Sequence, residues 1–184
     1  NIVVLTAEQA RQLLEKQLSD YARVIGELIR LQRQNRAETA EYKPAASLVN
    51  RQSMIRRQTI QLADVMERNT FPATTIIEQL RQLAGKPMPK VITLLESYRD
   101  ALTLSEGKPL AEQSLPIQNE IIAALEEILL RLNRADQVRQ RLKKAQDAEP
   151  AKHREVTSVL EKLARDLDEF LNEIKEIEED YEKM

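Results

Sequence analysis

LEKQLSDYARVIGELIRLQRQNRAETAEY, residues 14–42, is the stretch on which the fold class turns. Leu14, Leu18, Tyr21, Ile25 and Leu28 follow one another by alternating steps of four and three, which lays them along one stripe of an α-helix. The same rhythm then meets Gln32, Asn35, Thr39 and Tyr42, so the stripe turns polar in its last third. Upstream, Thr6-Ala7-Glu8-Gln9 has the form of a capping box, in which the threonine and glutamine side chains satisfy backbone N–H groups that a helix start leaves open. These signals predict a helix from residue 6 to Tyr42.

Pro44 interrupts it, and residues 48–66, LVNRQSMIRRQTIQLADVM, take up the pattern again with Leu48, Gln52, Ile55, Thr59, Leu62 and Met66. A second helix is predicted over Ala45 to Arg68. Folding the two back on each other about residues 43 and 44 brings Asn35 level with Gln52, and Thr39 with Leu48. The candidate polar core layer is therefore Asn35, Gln52 and Thr59. Its first reading is a register device of the kind a core Asn supplies in coiled coils, and its second is the lining of a ligand site.

Beyond a break at Asn69 to Pro72, Thr75-Ile76-Ile77-Glu78 reads as the capping box of a short helix ending at Gly85. Lys86-Pro87-Met88-Pro89 reads as a rigid connector, and Lys90 to Leu104 as another short helix. Ser105 to Pro116 is expected to be irregular, with Leu110 and Leu115 pinning it to the bundle. A fifth helix then runs to Asp147 with Ile121, Leu125, Ile128 and Leu132 inward, and Pro150 opens a sixth. That last segment has the cleanest stripe: Val156, Leu160, Leu163, Leu167, Phe170, Ile174, Ile177, Tyr181 and Met184.

The expected fold is all-α: an elongated antiparallel helical bundle, coiled-coil-like, of about six helices, four long and two short. Residues 1–184 are expected to form a single helical module of a larger protein. Within it lie an N-terminal hairpin (1–68), short helices and connectors (69–116) and a C-terminal hairpin (117–184). Composition agrees, since three Gly, two Phe and no Trp leave aliphatic side chains to pack the helices. The sequence opens at Asn1 without an initiator Met, so any anchor or targeting segment is expected to lie elsewhere in the parent. No apolar run approaches the roughly 20 residues that span a bilayer, so this segment is read as soluble and not itself a membrane anchor.

Chemistry is sparse. With no Cys there is no thiolate nucleophile and no Cys-containing metal site. His153 is the one histidine, which rules out multi-His metal sites, and no Glu stands three residues before it as a di-iron bundle requires. Gly26, Gly85 and Gly107 are too scattered to cradle a phosphate. No catalytic, cofactor-binding or metal residue is assigned, and the chain is read as non-enzymatic.

Charge is laid out unevenly although the formal net charge is only −2. Arg23 to Arg57 holds eight basic residues against three acidic ones, and Arg131 to Arg154 repeats that balance. Glu155 to Met184 carries eleven acids against four bases. The two predicted hairpin tips are thus basic, and Arg51, Arg56, Arg57, Arg139, Arg141, Lys143 and Lys144 are the candidate interaction residues. Either neighbouring helices neutralise one another, or the tips meet an anionic partner or the acidic end of another copy. Nucleic acid is disfavoured because the basic segments lack interleaved aromatics.

Leu48-Val49-Asn50-Arg51-Gln52-Ser53-Met54-Ile55-Arg56-Arg57-Gln58-Thr59-Ile60-Gln61-Leu62-Ala63 is followed by Leu102 with Gly107, then by Ala111, Gln113 and Ala123-Ala124-Leu125-Glu126-Glu127-Ile128-Leu129. This order resembles the long helical regions of large bacterial cell-envelope proteins of unknown function. The resemblance implies a membrane-anchored parent and an extracytoplasmic rod, and it implies no catalytic residues. The functional expectation is a structural or protein-interaction module, a spacer or assembly domain that meets a protein partner or itself. The alternative is a helical bundle that senses a small molecule.

Overall fold

The computed structural model describes residues 7–146 together with 162, 163 and 165. Every regular element among the described residues is α-helix: α1 (Ala7–Ala40), α2 (Ala45–Arg68), α3 (Thr74–Gly85), α4 (Pro87–Asp100) and α5 (Leu104–Gln146). Among the described residues the fold is all-α, as expected, with five helices where about six were expected for the chain. Lys86 alone parts α3 from α4, so the five helices make four rods. The helix predicted from Pro150 lies outside the described residues except at Lys162, Leu163 and Arg165, which are helical.

The chain divides into two compact units, Asp20–Leu130 on one side and Asn1–Ser19 with Arg131–Met184 on the other. In the second unit Leu18, Leu132 and Leu163 are buried. In Asp20–Leu130 the cross-rod contacts fix the direction of each rod. Asn69 reaches Tyr21 while Gln52 reaches Asn35 and Arg51 reaches Glu38, so α2 runs antiparallel to α1. Arg81 pairs with Glu67, Arg56 reaches Ala84 and Tyr98 reaches Tyr42, which makes the α3–α4 rod antiparallel to α2. Tyr42 meets Glu112 and Arg33 meets Glu126, so α5 descends beside α1. The result is an up-down-up-down arrangement whose core is built from the stripes, with Ile25, Leu28, Leu48, Ile55, Met66, Leu80, Met88, Leu95, Ile121 and Leu125 sealed from solvent.

The first two turns share one device. At the end of α1 the Tyr42 N–H reaches the Thr39 carbonyl and the Lys43 N–H reaches that of Glu38. At the end of α2 the N–H groups of Thr70 and Phe71 reach Glu67 and Met66 in the same pattern. Both are Schellman closures, whose pivot residue takes a left-handed conformation and is usually glycine. Here the pivots are Tyr42 (φ 55°) and Thr70 (φ 50°), at a cost of about 1–2 kcal/mol each. Contacts compensate. The Tyr42 hydroxyl donates to Glu112 at 2.6 Å, its ring lies under the Lys108 ammonium at 4.9 Å, and its carbonyl accepts from the Tyr98 hydroxyl at 3.0 Å. Beyond Thr70, Phe71 is buried edge-on against the Tyr21 ring, with centroids 5.2 Å apart.

Three local expectations are corrected, and proline is behind two. The stretch from Ser105 to Pro116 is helical, because α5 starts at Leu104 and carries Pro109 and Pro116 inside it. Both prolines are exposed, so the carbonyl each one frees faces water and the helix continues. Lys86-Pro87-Met88-Pro89 is likewise no connector: only Lys86 departs from helix, and Pro87 opens α4, where a missing N–H costs nothing. Thr75 and Glu78 form no capping box. Helix α3 starts at Thr74 behind Ala73, without a side-chain cap.

Candidate functional site

Six polar side chains meet in the middle of Asp20–Leu130, and none has any exposed surface: Gln32, Asn35 and Thr39 on α1, Gln52 on α2, and Ser114 and Gln118 on α5. The helical stripe of each rod carries them inward at positions where the neighbouring turns hold Leu or Ile. Gln32 and Gln52 form a reciprocal amide pair, with N–H donations of 3.0 Å one way and 2.9 Å the other. The Asn35 amide donates to the same Gln52 oxygen at 2.9 Å. Gln32 also donates to Gln118 at 3.3 Å, and Gln118 donates to Thr39 at 3.2 Å and to Ser114 at 3.1 Å. The two hydroxyls finish the circuit by donating to their own helices, Thr39 to the Asn35 carbonyl and Ser114 to that of Ala111, both at 2.7 Å.

Within that circuit the Asn35 Oδ1 is the buried atom that receives no hydrogen bond. Every other side-chain N and O of the layer has a hydrogen-bond partner, which is what makes buried amides tolerable in an apolar interior. It is also electrically neutral. No carboxylate, imidazole or amine belongs to it, and its two hydroxyls, Thr39 and Ser114, each donate to a backbone carbonyl of their own helix.

No protein-family model, curated protein or solved structure matches this chain. The cross-helix bonds of the layer join α1 to α2 and α1 to α5.

Of the predicted polar layer, Asn35 and Gln52 are together as expected from the hairpin register. Thr59 is buried too, but its hydroxyl donates to the Ile55 carbonyl at 2.9 Å on its own helix and joins no cross-helix bond of the circuit. Gln32 lay in the polar stripe without being singled out. Ser114 falls in the stretch expected to be irregular, and Gln118 in the opening turn of the predicted fifth helix, one step before the expected stripe starts at Ile121. The signal was nonetheless present, because Ala111, Ser114, Gln118, Ile121, Leu125, Ile128 and Leu132 continue one unbroken stripe of alternating threes and fours.

The candidate basic residues divide by environment. Arg51 is 19 % exposed and grips Glu38 at 2.6 Å across the α1–α2 hairpin. Arg56 donates to the Ala84 carbonyl at 2.7 Å, placing its cation at the end of α3 where the helix dipole and an open carbonyl both favour it. Arg57 is exposed. Arg141 lies exposed on α5, whereas the side chains of Arg139, Lys143 and Lys144 lie outside the described ones. Arg51 and Arg56 are thus engaged between rods, as are Arg33 with Glu126 and Arg81 with Asp64 and Glu67.

Among the described residues no group of three or more acidic or imidazole side chains is placed to hold a metal ion, and no helix is long and apolar enough to cross a membrane. A surface depression of about 370 Å³ lies where α2 turns into α3, lined by Glu67, Thr70, Phe71, Thr74, Ile77, Glu78 and Arg81. It is far in sequence from the amide layer and shares no residue with it.

Proposed function

We propose that this chain is a non-catalytic structural and protein-interaction module, an elongated, coiled-coil-like spacer or assembly domain of a larger protein. It acts by holding helix faces and charged ends at a fixed spacing for a protein partner or another copy of itself. The observation that carries this reading is the amide layer, whose side chains spend their hydrogen bonds on one another with no surface left for a substrate. Such a layer makes a bundle specific in register, which a spacer needs. On the same reading, the resemblance of residues 48–130 to envelope rods makes the parent a membrane-anchored envelope protein.

Light scattering coupled to size exclusion, in low and moderate salt, tests the proposal. A hydrodynamic radius well above that of a compact 21.2 kDa sphere is expected, together with either a constant monomer mass or a salt-sensitive higher mass. A compact, salt-indifferent particle would overturn the spacer reading.

A second reading, a bundle that binds a small molecule, is favoured by one atom, the unpartnered Asn35 Oδ1. A metabolite held there at a hundred times its dissociation constant would stabilise the fold by about 2.7 kcal/mol. A thermal-shift screen that finds such a compound, with the shift abolished in Asn35→Leu, would replace the first reading by the second.

A further inference from the structure

The four rods of Asp20–Leu130 are not held alike. Three of them share the buried amide circuit, through Gln32, Asn35 and Thr39 on α1, Gln52 on α2, and Ser114 and Gln118 on α5. The α3–α4 rod contributes no side chain to it. Its inward face is nearly all aliphatic, with Ile76, Ile77, Leu80, Ala84, Met88, Val91 and Leu95 buried. Aliphatic contacts are non-directional, so they hold the rod without locking it in register. The rod is also the one broken in the middle, into pieces of 12 and 14 residues at Lys86, and neither length is stable as a helix alone. The chain enters it through Thr70, a β-branched residue in the left-handed region.

The directional holds on this rod are few. The Arg56 guanidinium from α2 donates to the Ala84 carbonyl beside the Lys86 break, at 2.7 Å and part-buried. The Tyr98 hydroxyl donates to the Tyr42 carbonyl at 3.0 Å at the far end. Arg81 reaches Glu67 and Asp64, but all three side chains are about half exposed or more, where ion pairs are weak.

We infer that α3–α4 is a releasable strap: it opens as a unit from a framework of α1, α2 and α5, and Arg56, bound beside the Lys86 break in the middle of the strap, is its latch. Opening relaxes Thr70, and it uncovers the apolar face that α2 turns toward α3 and α4 while the amide circuit stays closed. The inference is independent of which partner the module meets.

Native-state hydrogen exchange on the full chain tests it. Amides of Ile76 to Leu95 should exchange at least tenfold faster than those near Ile25, Ile55 and Leu125, with a weaker dependence on urea because less surface opens. Arg56→Gln should speed exchange in α3–α4 about tenfold more, and Arg56→Lys by less, while the framework amides change under twofold. Arg33→Gln, which breaks the exposed pair with Glu126, should leave the strap unaffected. One common rate and one common urea dependence across all four rods would overturn the inference, as would an Arg56→Gln effect spread evenly over them. Should Arg56→Gln fail to fold, the wild-type urea dependence alone decides between these outcomes.

Discussion

Two parts of one core obey different rules. Around Ile25, Leu28, Leu62 and Ile128 the packing is aliphatic, and around Gln32, Asn35, Gln52 and Gln118 it is amide against amide, both buried to nearly the same degree. An aliphatic layer is satisfied by any side chain of suitable volume, so it stabilises without selecting a register. An amide layer stabilises little in net terms but penalises every arrangement in which its partners fail to meet. On the proposed reading, register is set by the layer whose burial contributes least to stability.

The sharpest way to break that comparison is to substitute once in each layer. Gln52→Leu keeps the volume but leaves the Gln32 oxygen and the Asn35 amide without their partner, and each stranded buried group costs about 1–3 kcal/mol. A loss of roughly 3–5 kcal/mol is expected in urea unfolding, whereas Leu62→Met should cost less than about 1.5 kcal/mol. Replacing Gln32, Asn35, Gln52 and Gln118 together by Leu should restore most of the stability and give mixed oligomers by light scattering. Equal costs for the two single substitutions would show that the amide layer carries no special penalty.

A smaller effect is expected at the turn where α4 meets α5. Gly107 is buried, and a Cβ placed there would lie 2.6 Å from the Tyr98 ring, whose hydroxyl holds the Tyr42 carbonyl. Gly107→Ala must move that ring, at about 1–3 kcal/mol, with the left-handed Tyr42 losing one of its compensating contacts. Thermal unfolding should register the loss, and combining Gly107→Ala with Tyr98→Phe should cost less than the sum of the two. Strict additivity would mean that the ring and the glycine act separately.

Much of this fold could be read from residues. The α2 boundaries and the Asn35–Gln52 pairing follow from stripe rhythm and the Pro44 break, because both depend on local spacing. Helix α5 is longer than its sequence predicts, since proline and glycine signal a break from the sequence alone, whereas the exposure that makes Pro109 and Pro116 harmless is a tertiary property. The contact of Arg56 is not legible in the sequence for a related reason. A basic residue on a helix gives no local hint that a carbonyl freed by a break at Lys86 will lie beside it. The left-handed turns at Tyr42 and Thr70 left no trace either, because their usual marker is glycine and neither has one.

The smallest expected effect separates the neutral layer from the charged seam beside it. Arg51 donates to Glu38 and, with help from Gln34, holds that carboxyl below the ordinary carboxylate range. A lowered folded-state value means that the pair stabilises the fold above the unfolded carboxyl's value, and that this contribution disappears as pH falls through the folded-state one. Because both side chains are partly solvated, the pair is worth at most about 1 kcal/mol. Arg51→Gln should therefore lower the urea midpoint slightly near pH 7, with the gap closing below about pH 4, where carboxylates take up protons. The Gln52→Leu gap should not change over the same range, since nothing in the amide layer titrates. If the Arg51→Gln gap stayed constant to pH 3, the arginine would be acting through its packing and not its charge, and α1 and α2 would be registered by the buried amides alone.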